Sequence, residues 1–231
     1  MTGYYTRKLT AQRLKQVYDI AGPRVRRYLK AESYFVLDRI RSGDRVLDLG
    51  CGYGRVMSRW AEKAGGVVGI DTAVDSLLMG ADILPDVTNA SFAAMDAGML
   101  GFKADTFDIT ACIQNGISVF KVDPAILLSE MIRVTRPGGQ VLLSSYAAGF
   151  WTERLSWFRS QAKFGLIGKI DAAATGNGVI VCKDGFRATT AKPEDFTDLL
   201  ARFQLNGRVV EVDGSSLFCE VDIASDTPAT G

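Results

Sequence analysis

The stretch Val46–Arg55 constrains the fold of this chain most, because an apolar run ends there in an acid and three alternating glycines. The apolar positions predict a strand buried on both faces, as in parallel sheets flanked by helices. Glycines at 50, 52 and 54 permit a tight turn and let a ligand approach the main chain closely. A helix predicted over 55–63 would present its positive end to the same crevice. The stretch predicts a cleft for a nucleotide-like ligand, with a purely structural strand-to-helix link as the alternative.

Composition narrows the chemistry of that cleft. The chain has 231 residues, 47% of them apolar, which suits one globular core. It contains no histidine, so the commonest general base and the Ser-His and Cys-His pairs are excluded. Its four cysteines show no C-x-x-C spacing, so we expect neither a metal site nor a disulfide framework.

Charge and apolar patterning bear on location and partners. No apolar run approaches the roughly 20 residues that span a membrane, and the first residues lack a secretion signal, so we expect a cytoplasmic protein without a membrane partner. Residues 1–45 carry a net charge of +7 and the remainder −6. This basic segment could meet an anionic substrate or a nucleic acid, or it could be the solvated face of two helices.

Two helices are predicted before the glycine-rich stretch, over 10–20 and 23–40. The apolar stripe of the second helix includes Tyr28, and Glu32 occupies a position that completes its spacing. A carboxylate on a buried stripe needs a partner. Glu32 either pairs with an arginine or faces the ligand cleft.

Two further acids follow predicted strands. Asp71 ends the strand 66–71 and lies 21 positions after Gly50, the spacing at which an acid reaches ribose hydroxyls. Asp96 closes the strand 89–96, and with the backbone at Ala97 it could bind an adenine, or it could be a turn residue. Both acids agree with a nucleoside ligand.

The rest of the chain continues the alternation and then interrupts it. We predict strand 107–113, helix 124–134, a stop at 136–139 and strand 140–145, which together indicate a parallel, doubly wound sheet. Residues 149–190 break the rhythm as a helix followed by a β-hairpin that turns at Asp184-Gly185. Strands 208–212 and 217–223 are joined tightly enough to be antiparallel neighbours, and 224–231 is a small, polar tail.

Over about residues 43–223 the chain resembles the class I S-adenosylmethionine-dependent methyltransferases. The resemblance rests on the sequence from Val46 to Gly54, on Asp71 and Asp96, on Arg136-Pro137-Gly138-Gly139 and on the final strand pair. It implies a single Rossmann-like α/β domain over 1–231, with a seven-stranded sheet of order 3-2-1-4-5-7-6 and the last strand antiparallel. It also implies a helical cap over 1–42 and a substrate-lid insertion over 149–190.

The same resemblance implies the positions of S-adenosylmethionine and of a small-molecule acceptor. The glycines and Asp48 would hold the methionine end, Asp71 the ribose and Asp96 the adenine, and Gln114 would line the sulfonium side. The expected cofactor set is completed by Cys51, Thr72 and Ala97. The candidate catalytic and acceptor-binding side chains are Glu32, Asn115 and Tyr146, and Tyr4, Tyr5, Tyr28 and Trp151.

Three alternatives concern the reaction. A nicotinamide-dependent oxidoreductase also uses a glycine-rich turn, but its G-x-G-x-x-G fingerprint would need glycine where this chain has Arg55. The second alternative is a protein that binds the cofactor without catalysing a reaction. The Asn/Asp-Pro-Pro-Tyr/Phe run of DNA and glutamine amine methyltransferases is absent at 114–117, and nucleic acid is not the expected partner. Without histidine, we expect a nitrogen, sulfur or acidic oxygen acceptor.

Overall fold

Helices and strands alternate through the residues that the computed structural model describes, which are Tyr4 and 8–225. The helices are α1 (Ala11–Asp19), α2 (Pro23–Leu37), α3 (Met57–Ala61), α4 (Val74–Ile83), α5 (Gly116–Val119), α6 (Pro124–Val134), α7 (Trp151–Lys163) and α8 (Pro193–Arg202). The strands are β1 (Arg45–Leu49), β2 (Gly66–Asp71), β3 (Ala90–Ala94), β4 (Phe107–Cys112), β5 (Thr135–Tyr146), β6 (Ile180–Val181), β7 (Arg187–Ala188), β8 (Gly207–Val212) and β9 (Ser216–Asp222). Most of the predicted tail lies outside the described residues.

Seven of these strands form one sheet in the order β3-β2-β1-β4-β5-β9-β8. Strands β1 to β5 are parallel, whereas β9 is antiparallel to both β5 and β8. This confirms the predicted order, with β8 and β9 as the sixth and seventh strands. The carboxyl ends of the parallel strands therefore meet at one edge of the sheet, where ligands bind in open α/β folds.

Two local predictions need correction. The regular helix after the glycine-rich stretch holds only Met57–Ala61, because residues 51–57 form successive tight turns instead. The helix-dipole argument made from 55–63 is weakened accordingly. Residues 136–139 do not separate a helix from a strand, since β5 begins at Thr135 directly after α6. A register shift against β4, between Phe107 and Ile109, and a positive φ at Gly138 accommodate this segment within the strand.

A separate hydrophobic core joins the N-terminal helices to the segment after β5, and we call these two parts the cap. Its buried members include Val17 and Tyr28 from the N-terminal helices and Phe150, Trp157 and Phe186 from the later segment. Trp157 Nε1 donates a hydrogen bond of 2.9 Å to the Val17 carbonyl. The predicted β-hairpin is present as antiparallel β6 and β7. Parts of the chain more than a hundred residues apart therefore pack as one layer.

Several arginines of the basic N-terminal segment form ion pairs or hydrogen bonds within the fold. Arg24 and Arg27 both bond Asp213, in the turn between β8 and β9. Arg13 and Arg26 donate to backbone carbonyls. The bonds to Asp213 thus set two cations of this segment against one carboxylate. Among the described residues, no helix is long and apolar enough to cross a bilayer. The same residues contain no cluster of side chains that could hold a metal ion.

Candidate active site

The glycine-rich loop closes against the end of β2. Gly50, Gly52 and Gly54 have φ angles of +76°, +57° and +75°, which side-chain-bearing residues rarely adopt. The amides of Gly50 and Cys51 donate to the Ile70 carbonyl at 2.8 and 3.0 Å. A Cβ atom at Gly52 would lie 2.7 Å from Leu14 Cδ2, so helix α1 covers the loop at close range.

The three predicted acids lie at or near the carboxyl ends of β1, β2 and β3, in different environments. Asp71 Oδ2 accepts from the Gly52 amide at 2.9 Å and Oδ1 from the Ala73 amide at 2.8 Å, so this carboxylate orders the loop. Asp48 is 3% exposed, and burial raises its pKa to about 7, with Arg55 opposing and Asp71 adding to the shift. Asp96 is exposed and accepts from the Gly98 amide, which makes it a turn residue as well as a candidate ligand.

Arg55 adds a positive charge that the sequence interpretation used only to exclude a nicotinamide fingerprint. Its Nη2 donates to Gln114 Oε1 at 2.9 Å, and its Cζ lies 4.9 Å from the centre of the Tyr18 ring. Tyr18 Oη donates to the same Gln114 oxygen at 3.1 Å. Arg55 Nε is buried and has no hydrogen-bond partner within the described chain. A cation directly after the third glycine was the signal that could have identified it.

Backbone strain is concentrated where β4 ends. Gln114 and Asn115 are adjacent, and both are left-handed, with φ of +54° and +63°. Such residues cost of order 1–3 kcal/mol each and persist where their surroundings hold them. Asn115 is held by Ser145 Oγ, which donates to its Oδ1 at 2.8 Å, and by its own Nδ2, which donates to the Thr189 carbonyl at 2.8 Å.

Glu32 is fully buried beneath these residues. Ser144 Oγ and Ser216 Oγ each donate to its Oε1 at 2.6 Å, and the Gln114 amide donates to its Oε2 at 3.1 Å. Among the described residues, Glu32 forms no ion pair with an arginine, which was one alternative, and all three of these donors are neutral groups. Burial raises the pKa of Glu32, and the two serine hydroxyls only partly offset this effect.

Aromatic side chains of the cap lie next to Glu32. The Tyr28 ring centre is 5.3 Å from that of Tyr146 and 4.9 Å from that of Phe150. Arg154 Cζ lies 4.4 Å from the Tyr146 ring centre and 5.9 Å from that of Trp151. Burial raises the pKa of Tyr146 to about 12. Tyr28 Oη is buried and forms no hydrogen bond with any described residue.

The part of the chain that contains the glycine-rich loop and the three acids is similar to known proteins. Residues 46–139 match the family model of a methyltransferase domain. This part of the chain is therefore similar to a methyltransferase domain. The chain is 35% identical over 112 residues to the demethylmenaquinone methyltransferase of Beutenbergia cavernae, covering 48% of this chain and 44% of that protein. It is 31% identical over 111 residues to the 2-methyl-6-phytyl-1,4-hydroquinone methyltransferase of Synechocystis, covering 48% and 34%.

The similarity of fold extends beyond the matched residues. A crystal structure of an S-adenosylmethionine-dependent methyltransferase from Methanosarcina mazei superposes with a TM-score of 0.61 at 19% identity, covering 83% of this chain and 98% of that one. The fold is therefore that of the class I methyltransferases, whose cofactor is S-adenosylmethionine. The chain spans less than half the length of the two curated relatives above.

The side chains of the loop suit this cofactor. Carboxylates at 48, 71 and 96 match a ligand that carries ribose hydroxyls, an adenine amine and an ammonium group. The unpartnered Nε of Arg55 suits the carboxylate of the methionine moiety. In the structure, the Phe120 ring packs closely against Gly50 and the Leu14 side chain against Gly52.

The predicted acceptor residues do not all lie together. Glu32, Tyr28 and Tyr146 are neighbours, and Asn115 is linked through Ser145 to the end of β5. Tyr4 contacts the hairpin instead, where its Oη donates to Asp184 at 2.6 Å and its ring meets Phe186. Tyr5 lies outside the described residues.

Proposed function

We propose that this chain transfers the methyl group of S-adenosylmethionine to a small-molecule acceptor at a nitrogen, a sulfur or an acidic oxygen. The observation that supports this most is the position of Gln114 at the end of β4. Its side chain accepts from Arg55 of the cofactor cleft, and its amide donates to Glu32 below the aromatic side chains. One residue thus links a cofactor side and an acceptor side.

On the cofactor side, the proposed contacts follow the implied positions of the ligand. Asp71 with Thr72 would bind the ribose, Asp96 with the Ala97 backbone the adenine, and Gln114 would face the sulfonium. The methionine end would lie against Asp48, Gly50, Cys51, Gly52 and Gly54. Arg55 joins this set because its Nε lacks a partner and its side chain already reaches Gln114.

On the acceptor side, the chain aligns the acceptor and excludes water. When bound, S-adenosylmethionine supplies a methyl group already activated by the positive sulfur. Alignment and desolvation are then the main requirements for in-line displacement. Glu32, Asn115 and Tyr146 are the proposed polar groups near the reacting centre, and Tyr28 and Trp151 the proposed walls. Tyr4 would act at the rim, toward the hairpin, and Tyr5 stays a candidate on the sequence alone.

A ring carbon is the second candidate acceptor. The two relatives named above are called methyltransferases of demethylmenaquinone and of a hydroquinone. An aromatic acceptor also suits the stacked rings of Tyr28, Tyr146 and Phe150. An anionic acceptor would be favoured by Arg154, whose guanidinium lies over Tyr146.

Thermal unfolding with and without ligand tests cofactor binding. A hundredfold excess of S-adenosylmethionine over Kd adds about 2.7 kcal/mol to the free energy of unfolding, roughly 5–10 °C in Tm for a chain of this size. Asp71→Ala should largely abolish this shift. Asp75→Ala is the matched control, because Asp75 is exposed only four residues later and should retain the shift.

Turnover is tested by release of S-adenosylhomocysteine with a panel of amines, thiols, carboxylates and phenols. Stabilisation by NADH but not by S-adenosylmethionine would overturn the assignment in favour of an oxidoreductase. Stabilisation by S-adenosylmethionine without turnover of any acceptor would support a protein that binds the cofactor but does not use it.

A further inference from the structure

Tyr28 and Glu32 form a buried pair on one helix. They are four residues apart on α2, the spacing that places two side chains on the same face one turn apart. Both are 0% exposed. The Tyr28 hydroxyl lies within reach of the Glu32 carboxylate, whose charge and hydrogen bonding raise the pKa of Tyr28, but no hydrogen bond of ordinary geometry joins Tyr28 Oη to a described residue. A buried hydroxyl without a partner costs about 1–3 kcal/mol, so a group that completes it is expected.

The surroundings of Glu32 suit a proton acceptor better than a structural ion pair. Its three donors are two hydroxyls and one amide, and none of them is a cation. A serine hydroxyl can rotate to accept as well as to donate, so the same cage tolerates the carboxylate and the neutral acid. The titratable groups around it, from every neighbouring element, are Tyr18, Tyr28, Arg55, Cys112 and Tyr146. Arg55 is the one cation in that set.

Resting on the proposed function, we infer that Glu32 takes the proton of an aromatic hydroxyl on the acceptor, with the Tyr28 hydroxyl between them. The acceptor O–H bond breaks as its proton passes to Tyr28 Oη, and the proton of Tyr28 passes to Glu32. The electron pair stays on the acceptor oxygen. One O–H bond is lost on the acceptor and one is gained on Glu32, so charge and atoms balance.

The charges at the site favour this acceptor class over a cationic amine. The Arg154 guanidinium over the Tyr146 ring opposes the rise of the pKa of Tyr146 that burial causes. A positive charge that favours the ionised form of Tyr146 favours an ionised ring hydroxyl stacked beside it, and it repels an ammonium. An ionised ring oxygen is a nucleophile at oxygen and also activates the ring carbons next to it. The inference therefore holds for either acceptor atom of an aromatic ring.

The first experiment observes ionisation without turnover. 4-Nitrophenol, whose ionised form absorbs visible light, is titrated with pH in the presence of S-adenosylhomocysteine and the full chain. We expect the bound phenol to ionise at lower pH with the wild type than with Glu32→Gln or Tyr28→Phe. Glu62→Gln, an exposed site, and Tyr34→Phe, on the same helix at the surface, are the matched controls and should behave like the wild type.

The second experiment compares turnover across para-substituted phenols and hydroquinones of falling acidity. Loss of a general base costs about 10²–10⁴-fold. We expect Glu32→Gln to lose at least 10²-fold with the least acidic phenol and only a few-fold with 4-nitrophenol, which needs little help to ionise.

The outcomes separate this inference from the proposed function. An equal loss across the series, with a lowered Tm, would assign Glu32 a structural role and overturn the inference. Turnover of amines or thiols alone would overturn it while leaving methyl transfer intact. Failure of S-adenosylmethionine to bind the wild type would overturn both.

Discussion

The proposed cofactor side and the proposed acceptor side hold their polar groups differently. On the cofactor side, Asp71 and Asp96 accept from backbone amides within two to nineteen residues of themselves. On the acceptor side, Glu32 is held by Ser144 and Ser216, which lie 112 and 184 residues away. The first arrangement can be specified by a short stretch of chain, whereas the second exists only when α2, β5 and β9 are assembled.

This difference suggests that the two sides can be perturbed separately. Mutations of the cap should lower the free energy of unfolding, while S-adenosylmethionine still raises Tm. Mutations of the glycine-rich loop should reduce that rise in Tm and change the free energy of unfolding little. Four substitutions test the separation, in order of falling effect on the free energy of unfolding.

Phe150→Ala should have the largest effect. Phe150 is 0% exposed and packs against Tyr28 and Tyr146 in the core of the cap. Removing a buried phenyl ring costs about 3–5 kcal/mol. Urea unfolding should show this loss, while S-adenosylmethionine still raises Tm. Phe164→Ala is the control, since Phe164 is 57% exposed and should change stability by less than about 0.5 kcal/mol. Loss of the ligand response in Phe150→Ala would show that the two sides are coupled.

Asp213→Asn should have an intermediate, pH-dependent effect. Burial alone would raise the pKa of Asp213, but the bonds from Arg27 and the charge of Arg24 outweigh it and hold the pKa below its ordinary value. The ionised form therefore stabilises the fold above about pH 4, by about 1.5 kcal/mol, and this contribution disappears as pH falls through the lowered pKa.

Urea midpoints of the wild type and Asp213→Asn, measured at pH 7 and pH 3, check this expectation. The difference between them should shrink at the lower pH. Asp19→Asn removes the exposed Lys15–Asp19 pair and should cost no more than about 0.5 kcal/mol. A difference for Asp213→Asn that is independent of pH would rule out the ion pairs as its cause.

Gln204→Gly and Gln114→Gly should have the smallest effects on stability. Both glutamines are left-handed, with φ of +53° and +54°. Glycine at 204, after α8, should be neutral or stabilising by about 0.5 kcal/mol, because relief of strain slightly exceeds the added chain entropy. In Gln114→Gly, the relief of backbone strain is offset by the loss of the hydrogen bonds from Arg55 and Tyr18 to the Gln114 side chain. The increase in Tm caused by S-adenosylmethionine should be smaller in this variant than in the wild type. Equal ligand responses in the two variants would remove Gln114 from the cofactor cleft.

Features that depend on nearby residues could be predicted from the sequence, whereas features that depend on residues far apart could not. The strand before the glycines and the position of Asp71 at the end of β2 depend on short-range patterns, and the structure confirms them. The order of the sheet was implied by the resemblance to the methyltransferases, and it is confirmed as well. The length of α3 was predicted wrongly, because consecutive turns over 51–57 replace its first turn. Periodicity identified Glu32 as an anomaly on an apolar stripe. Its serine partners could not be predicted, since no local pattern connects α2 with residues more than a hundred positions later.

The shared core of the cap also constrains the order in which the protein is completed during synthesis. Leu9, Val17 and Tyr28 leave the ribosome early, but their packing partners Phe150, Trp157 and Phe186 are made more than a hundred residues later. Because such distant contacts form only after long loops close, α1 and α2 must wait with their apolar faces uncovered. These two helices, although they are synthesised before the sheet, are thus among the last elements of the described chain to be buried, and that interval is when a chaperone would be of most use.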